Sequence, residues 1–300
     1  MTDTLRRLAL RAAATLAVVP RAGAARADDA PAPASGDPGT EDLAYGDDPR
    51  QRLDVHRPDG APPPGGRPVV VFFYGGSWNR GSRSTYRFVG RALASRGIVT
   101  AIPDYRTYPQ VRYPDFLRDG AAAIAWLRPR LARFGGDPSR IVVAGHSAGA
   151  YNAAMLAMDP RWLGEAGLSP SVLAGFAGLA GPYDFLPIVN PDVRPVFHHP
   201  DYPPDTQPID HARGVRMPVF LGAAASDSLV DPDRNTGGLA RRLREAGTTV
   251  VERRYPRANH VTLVGAFAWP LRWIAPVLDD VAGFVDGLPA GAPPAARAAS

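Results

Sequence analysis

One stretch limits what this chain can fold into more than any other: RIVVAGHSAGAYNAAM, residues 140–155. Ile141-Val142-Val143-Ala144 is a short apolar run rich in β-branched residues, and it reads as a buried strand. Gly145-His146-Ser147-Ala148-Gly149 follows, and an alanine-rich segment of high helix propensity comes directly after it. A strand that passes into a helix through Gly-x-Ser-x-Gly puts the serine on a tight turn. That turn has no room for side chains two residues to either side, which is where the glycines stand. It lifts the Ser147 hydroxyl above a sheet edge. It also leaves the Ala148 N–H at a helix N-terminus, where the helix dipole favours negative charge. The pattern in this context is a nucleophile elbow.

The rest of the chain alternates strands with helices around it. Apolar strand runs lie at 69–74, 98–102, 172–179, 218–222 and 250–255. Helical spacing occupies 84–96, 114–134, 235–246 and a final helix around 269–285. Residues 43–57 differ: Leu53 and Val55 alternate with polar neighbours, as in a half-buried antiparallel hairpin at a sheet edge. The alternation implies an α/β fold, with a mostly parallel central sheet, right-handed crossovers and flanking helices. Ligands then bind beyond the carboxyl ends of the strands. Residues 181–214 break the rhythm with prolines and no readable period, as expected of a small irregular cap that shapes a pocket.

Ser147, Asp227 and His260 each follow the end of an expected strand, so three distant residues should meet at one sheet edge. A serine hydroxyl is a weak nucleophile and needs an adjacent base, for which His260 is the candidate. Asp227 would accept the hydrogen bond from the other imidazole nitrogen and fix the tautomer. The order Ser, Asp, His suits this architecture. Asp231 is the rival acid, and Asp227 is preferred because it lies nearer the strand end. The run 69–74 ends in Tyr74-Gly75-Gly76-Ser77-Trp78, where two glycines let the backbone turn its N–H groups toward the same edge. Gly75, Gly76 and Ala148 are the candidate oxyanion donors. Trp78, His146, Phe185 and Phe197 are the candidate substrate-binding residues.

Other tempting residues read as structural. Asp104 precedes the serine, so it is expected in an ion pair or loop hydrogen bond. His56 lies in the edge hairpin, and His211 precedes a strand, the wrong end for catalysis. His198-His199 lacks a third ligand at metal-site spacing, so no metal is expected.

The chain has 300 residues, 45% of them hydrophobic, enough for one large domain at 43–287. It contains no cysteine, which excludes disulfides, thiolate metal sites and a cysteine nucleophile. Residues 1–27 carry Arg6-Arg7, an apolar run and Ala25-Arg26-Ala27, as in a cleavable export signal, so a periplasmic or secreted location is expected, with a cytoplasmic one as the alternative. Residues 28–42 read as a disordered linker and 288–300 as a disordered tail. Five arginines against Asp3 place most of the formal charge of +5 in the leader, so the basic balance is no argument for nucleic acid. Beyond the leader no run is long and apolar enough for an integral membrane span.

Taken together, Tyr74-Gly75-Gly76-Ser77-Trp78, Asp104-Tyr105-Arg106, Gly135-Gly136-Asp137-Pro138, the elbow, Asp227 and His260 resemble the α/β-hydrolase superfamily. The likeness is to its carboxylesterase branch with a His-Gly-Gly-x-Trp loop, which includes feruloyl-esterase-like proteins, isoprenylcysteine methylesterases and kynurenine formamidases. It implies an α/β-hydrolase fold and a serine hydrolase with no metal and no cofactor, acting on a small-molecule ester through an acyl-enzyme. An arylformamidase would use the same triad and loop. A hydrolase-fold binding protein without turnover is the remaining alternative, against which the intact Ser147, Asp227 and His260 speak. Tyr74 stands where that branch usually has a histidine that orients the loop. It is expected either to orient the loop through its hydroxyl or to alter pocket polarity.

Overall fold

The computed structural model describes residues 40–289. The leader 1–27, linker residues 28–39 and tail residues 290–300 lie outside the described residues. Eight strands form one sheet: β1 (Thr40–Ala44), β2 (Arg52–His56), β3 (Arg67–Phe73), β4 (Val99–Pro103), β5 (Gly136–His146), β6 (Leu173–Leu179), β7 (Val219–Ala224) and β8 (Val250–Tyr255). Their spatial order is β1-β2-β4-β3-β5-β6-β7-β8. β1–β2 and β2–β4 pair antiparallel, and every other pairing is parallel. The apolar strand β3 is buried from Pro68 to Phe73, as a parallel strand covered on both faces must be.

The helices are α1 (Arg87–Ala94), α2 (Asp115–Leu127), α3 (Ala148–Met158), α4 (Pro160–Glu165), α5 (Gly238–Glu245), α6 (His260–Gly265) and α7 (Val277–Asp286). Phe72 and Phe73, neighbours on β3, point to opposite faces of the sheet. Phe72 meets Tyr86 and Phe267, while Phe73 lies against Gly120 of α2. Both faces are therefore covered by helical layers.

Several expectations change at element ends. β1 takes up residues 40–42, which the sequence assigned to the linker. Leu288, assigned to the tail, is buried against Gly175. The helix expected at 114–134 is α-helical only to Leu127, and Pro129 begins a 3-10 stretch. The final helix expected around 269–285 is divided. Pro270 and Pro276 hold 269–276 out of regular helix, and α7 starts at Val277. The edge hairpin forms, but its polar residue Asp54 is fully buried rather than facing water.

The reason for Asp54 is an ionic cluster. Arg83 donates through Nε to Asp54 at 2.8 Å, pairs with Asp42 at 3.0 Å, and forms a short pair with Asp104. Arg87 Nε holds the other Asp54 oxygen at 2.9 Å. The cluster ties β1, β2 and the end of β4 to the approach of α1. Asp54 and Asp104 would be uncompensated buried charges without their arginines. Asp104 is thus structural, as its place before the serine suggested.

Candidate active site

The elbow is built by close backbone approach. A Cβ on Gly145 would lie 2.3 Å from the Gly149 carbonyl oxygen, and one on Gly149 would lie 2.1 Å from the Phe73 carbonyl oxygen. No side chain fits either position, which is why glycine flanks the serine. Between them Ser147 adopts φ 56° and ψ −125°, a region that L-residues visit at a cost of about 1–3 kcal/mol. The Ser147 N–H donates to the Leu179 carbonyl of β6 at 2.9 Å, which holds the turn at the sheet edge.

Three residues from three strand ends converge there. The Ser147 hydroxyl lies 2.8 Å from His260 Nε2, and His260 Nδ1 lies 2.7 Å from Asp227 Oδ2. A carboxylate only accepts, so Nδ1 carries the proton and Nε2 faces the hydroxyl as a base. Asp227 Oδ1 accepts from the amides of Leu229 at 2.9 Å and Val230 at 3.0 Å. Burial works to raise the Asp227 pKa. The hydrogen bond from His260, its charge and the two amides outweigh that and hold the carboxyl below its ordinary value. His260 is the first residue of α6, and a reciprocal cap fixes the start of that helix. Asn259 Oδ1 accepts from Thr262 N–H at 2.8 Å, and Thr262 Oγ1 accepts from Asn259 N–H at 2.8 Å. Asp231, the rival acid, turns elsewhere: its Oδ1 accepts from the amides of Asp233 and Arg234.

The loop after β3 lies against the elbow. A Cβ on Gly75 would come within 3.0 Å of the Ser147 Cβ. Gly76 has φ 142°, and its carbonyl accepts from Asn79 and Arg80 in a tight turn. The amides of Gly76, Ser77 and Ala148 make no hydrogen bond among the described residues. The Gly75 amide makes no hydrogen bond among the described residues either. Ser77 was not among the donors expected from the sequence. Its left-handed φ of 53°, which frees its N–H, has no sequence signature beyond the neighbouring glycines.

Tyr74 is fully buried and outside the cavity, so it orients rather than lines. Its hydroxyl accepts from Arg50 Nη2 at 3.0 Å, and the same nitrogen donates to the Gly81 carbonyl at 3.0 Å. Arg50 thereby holds both ends of the loop.

A cavity of about 510 Å³ opens over Ser147 and His260, with Gly75, Gly76 and Ala148 in its wall. Trp78 and Phe185 line it, as expected. Trp78 is also anchored by its Nε1–H, which donates to Asn152 Oδ1 at 2.8 Å. Phe197 does not line the cavity. It is 1% exposed and packs edge-on against Trp78 and Tyr151, so it backs the wall rather than touching a ligand. Within the cap, Phe185 faces the opening while Phe197 packs inward. A groove of about 590 Å³ elsewhere, between Asp210, Arg213, Arg242 and Glu245, holds none of the site residues. His198, His199 and His211 are taken by Tyr113 carbonyl, Tyr202 hydroxyl and Asp205 carbonyl, respectively.

His146 reaches the cavity edge, but its main contact is to the base. Its Nε2–H donates to the His260 carbonyl at 2.9 Å, and its ring stands 4.9 Å from the His260 ring. Burial, followed by the neighbouring imidazole, pushes its pKa down to about 3. The sign of the consequence is definite. In the unfolded chain this group takes a proton near pH ~6.5, while in the fold it stays neutral to about pH 3. Its contribution is complete above the unfolded value and drains away by at most about 1.4 kcal/mol per pH unit on acidification. The melting temperature is therefore expected to fall between pH 7 and pH 4.5, and His146→Gln, which keeps a donor but cannot titrate, to flatten that fall. Thermal melts of both proteins check it; equal slopes would assign the acid sensitivity to another group.

Comparison with known proteins gives consistent relatives. A family model described as BD-FAE matches residues 53–163. A probable isoprenylcysteine alpha-carbonyl methylesterase, ICMEL1 of Arabidopsis thaliana, is 36% identical over 154 residues, covering 49% of this chain and 32% of that protein. Esterase LipC of Mycobacterium tuberculosis is 34% identical over 229 residues, covering 70% of this chain and 56% of LipC. The chain thus spans less than two thirds of either relative. Among solved structures, esterase 2 of Thermogutta terrifontis phosphorylated by paraoxon superimposes with a TM-score of 0.70, at 24% identity, over 86% of this chain and 97% of the other. That likeness establishes the α/β-hydrolase fold.

Proposed function

The chain belongs to the α/β-hydrolase superfamily, in its carboxylesterase branch, and on that premise we propose that it is a serine hydrolase of small or medium acyl or aryl esters. The observation that carries this reading is the continuous hydrogen-bonded line Ser147–His260–Asp227 beside unbonded amides. His260 Nε2 takes the hydroxyl proton as Ser147 Oγ attacks the ester carbonyl. The amides of Gly76 and Ala148, joined by Ser77, receive the oxyanion, and Asp227 stabilises the imidazolium that forms. His260 then gives the proton to the departing alkoxide, leaving an acyl-enzyme. Water, activated by the same imidazole, releases the acid. The cavity volume falls in the range of small-ligand sites, and the apolar wall of Trp78 and Phe185 suits an acyl or aryl group.

Paraoxon and a short-acyl ester series test the reading. The paraoxon-phosphorylated and butyrate-bound forms solved for Thermogutta terrifontis esterase 2 motivate the choice of probes. The intact protein is expected to gain one diethylphosphoryl group, on the peptide carrying Ser147, and to hydrolyse 4-nitrophenyl butyrate. A preference of orders of magnitude for N-formylkynurenine would make it an arylformamidase instead. No label and no turnover would leave a binding protein on a hydrolase fold.

A further inference from the structure

The cavity has a polar wall residue that the reaction above does not use. Tyr86 ends the 3-10 turn that leads into α1, and its side chain opens on the same cavity as Ser147 and His260. Its ring is held from several sides: stacked on Tyr74 at 5.7 Å and Phe88 at 6.0 Å, and against Phe72 at 6.1 Å. Tyr86 shares that cavity wall with Gly75, which lies against the Ser147 Cβ, and its hydroxyl lies in the same wall. That hydroxyl makes no hydrogen bond among the described residues, so its proton is free to donate. A rigidly held phenol thus lies in the wall of the cavity that holds the nucleophile.

The side of the cavity can be assigned. His260 must protonate the leaving oxygen, so the alcohol half of an ester lies along α6. Val261 and Val264 of α6 line the cavity together with Thr85, Tyr86 and Phe88. Phe72 packs against both Tyr86 and Phe267, which follows α6 closely in the chain. Tyr86 is therefore placed on the alcohol side.

Building on the ester-hydrolase reading, we propose that Tyr86 is a further catalytic residue whose hydroxyl donates a hydrogen bond to the ester's leaving oxygen. The phenol keeps its own proton throughout. His260 supplies the proton that leaves with the alcohol, and Tyr86 stabilises the negative charge that builds on that oxygen before transfer. Burial pushes the phenol pKa up to about 12, so the donor stays protonated across the working pH range. The consequence is a preference for esters of poor leaving groups over what the Ser–His–Asp line alone would manage.

Tyr86→Phe keeps the ring and its stacking while removing the donor. With ethyl butyrate, kcat/KM is expected to fall roughly ten- to hundredfold, the worth of one hydrogen bond to a charged group. With 4-nitrophenyl butyrate, whose leaving oxygen carries little charge, it should fall less than about threefold by the same reasoning. Paraoxon labelling of the variant reports that the elbow is intact. Equal losses with both esters would mean a structural or carbonyl-side role, and no loss with either would mean no role; each overturns the proposal. Failure of the unmodified protein to hydrolyse both esters would instead overturn the ester-hydrolase reading beneath it.

Discussion

Replacing Ser147 with alanine is expected to lower kcat by up to ~10⁶-fold while leaving the fold intact, by analogy with knockouts of comparable serine nucleophiles. The loss corresponds to about 8 kcal/mol of transition-state stabilisation. The expectation follows from geometry. Ser147 is the only hydroxyl in hydrogen-bond contact with His260 among the described residues, and its strained backbone sets the hydroxyl toward that imidazole. Alanine removes the nucleophile and retains the turn, since Gly145 and Gly149 still allow the start of α3 to pack closely on β5 and β3. The Gly76 and Ala148 amides remain, so a residual rate above water should persist. Steady-state kinetics with paraoxon labelling checks this. Activity within tenfold of the unmodified protein would mean another group attacks the ester.

Asp227→Asn is expected to cost roughly 10⁴-fold in kcat with little change in stability. The carboxylate forces the proton onto His260 Nδ1, which leaves Nε2 bare toward Ser147. An asparagine can turn its NH₂ toward that nitrogen, and the imidazole then carries its proton on Nε2, where it cannot act as base. Asp231→Asn is the matched control and should change kcat by less than about threefold, because Asp231 only caps the turn before α5. A larger loss at Asp231 than at Asp227 would reverse the assignment of the acid.

Much of this site was legible before any coordinates, and particular residues show why. Gly145 and Gly149 are readable because a tight strand-to-helix turn excludes every other side chain locally. The mostly parallel character of the sheet was readable, since fully apolar strands such as β3 mark a covered parallel sheet. Asp54 was misjudged because alternation along β2 says which face a residue points to, but not that Arg83 and Arg87 wait there. Phe197 was misplaced for a related reason. An aromatic residue in an irregular segment has no period, so whether it faces the cavity or the core depends on packing by Trp78, Tyr113 and Tyr151. Ser77, Tyr86 and Asn152 carried no signal at all. Ser77 matters through a φ angle, Tyr86 through its place in the cavity wall, and Asn152 through Trp78 on a distant loop.

By itself, the amino-acid order determined the elbow, the alternating architecture and three residues bound for one sheet edge. Backbone sterics and hydrophobic periodicity act over a few residues and leave their mark in local sequence. Tertiary structure alone decided that Tyr74 acts through Arg50, that Arg83 and Arg87 hold the buried Asp54, and that Asp231 turns to the amides of Asp233 and Arg234. Those outcomes depend on where hydrogen-bonding atoms come to rest. Side-chain direction is settled only when the layers close around it.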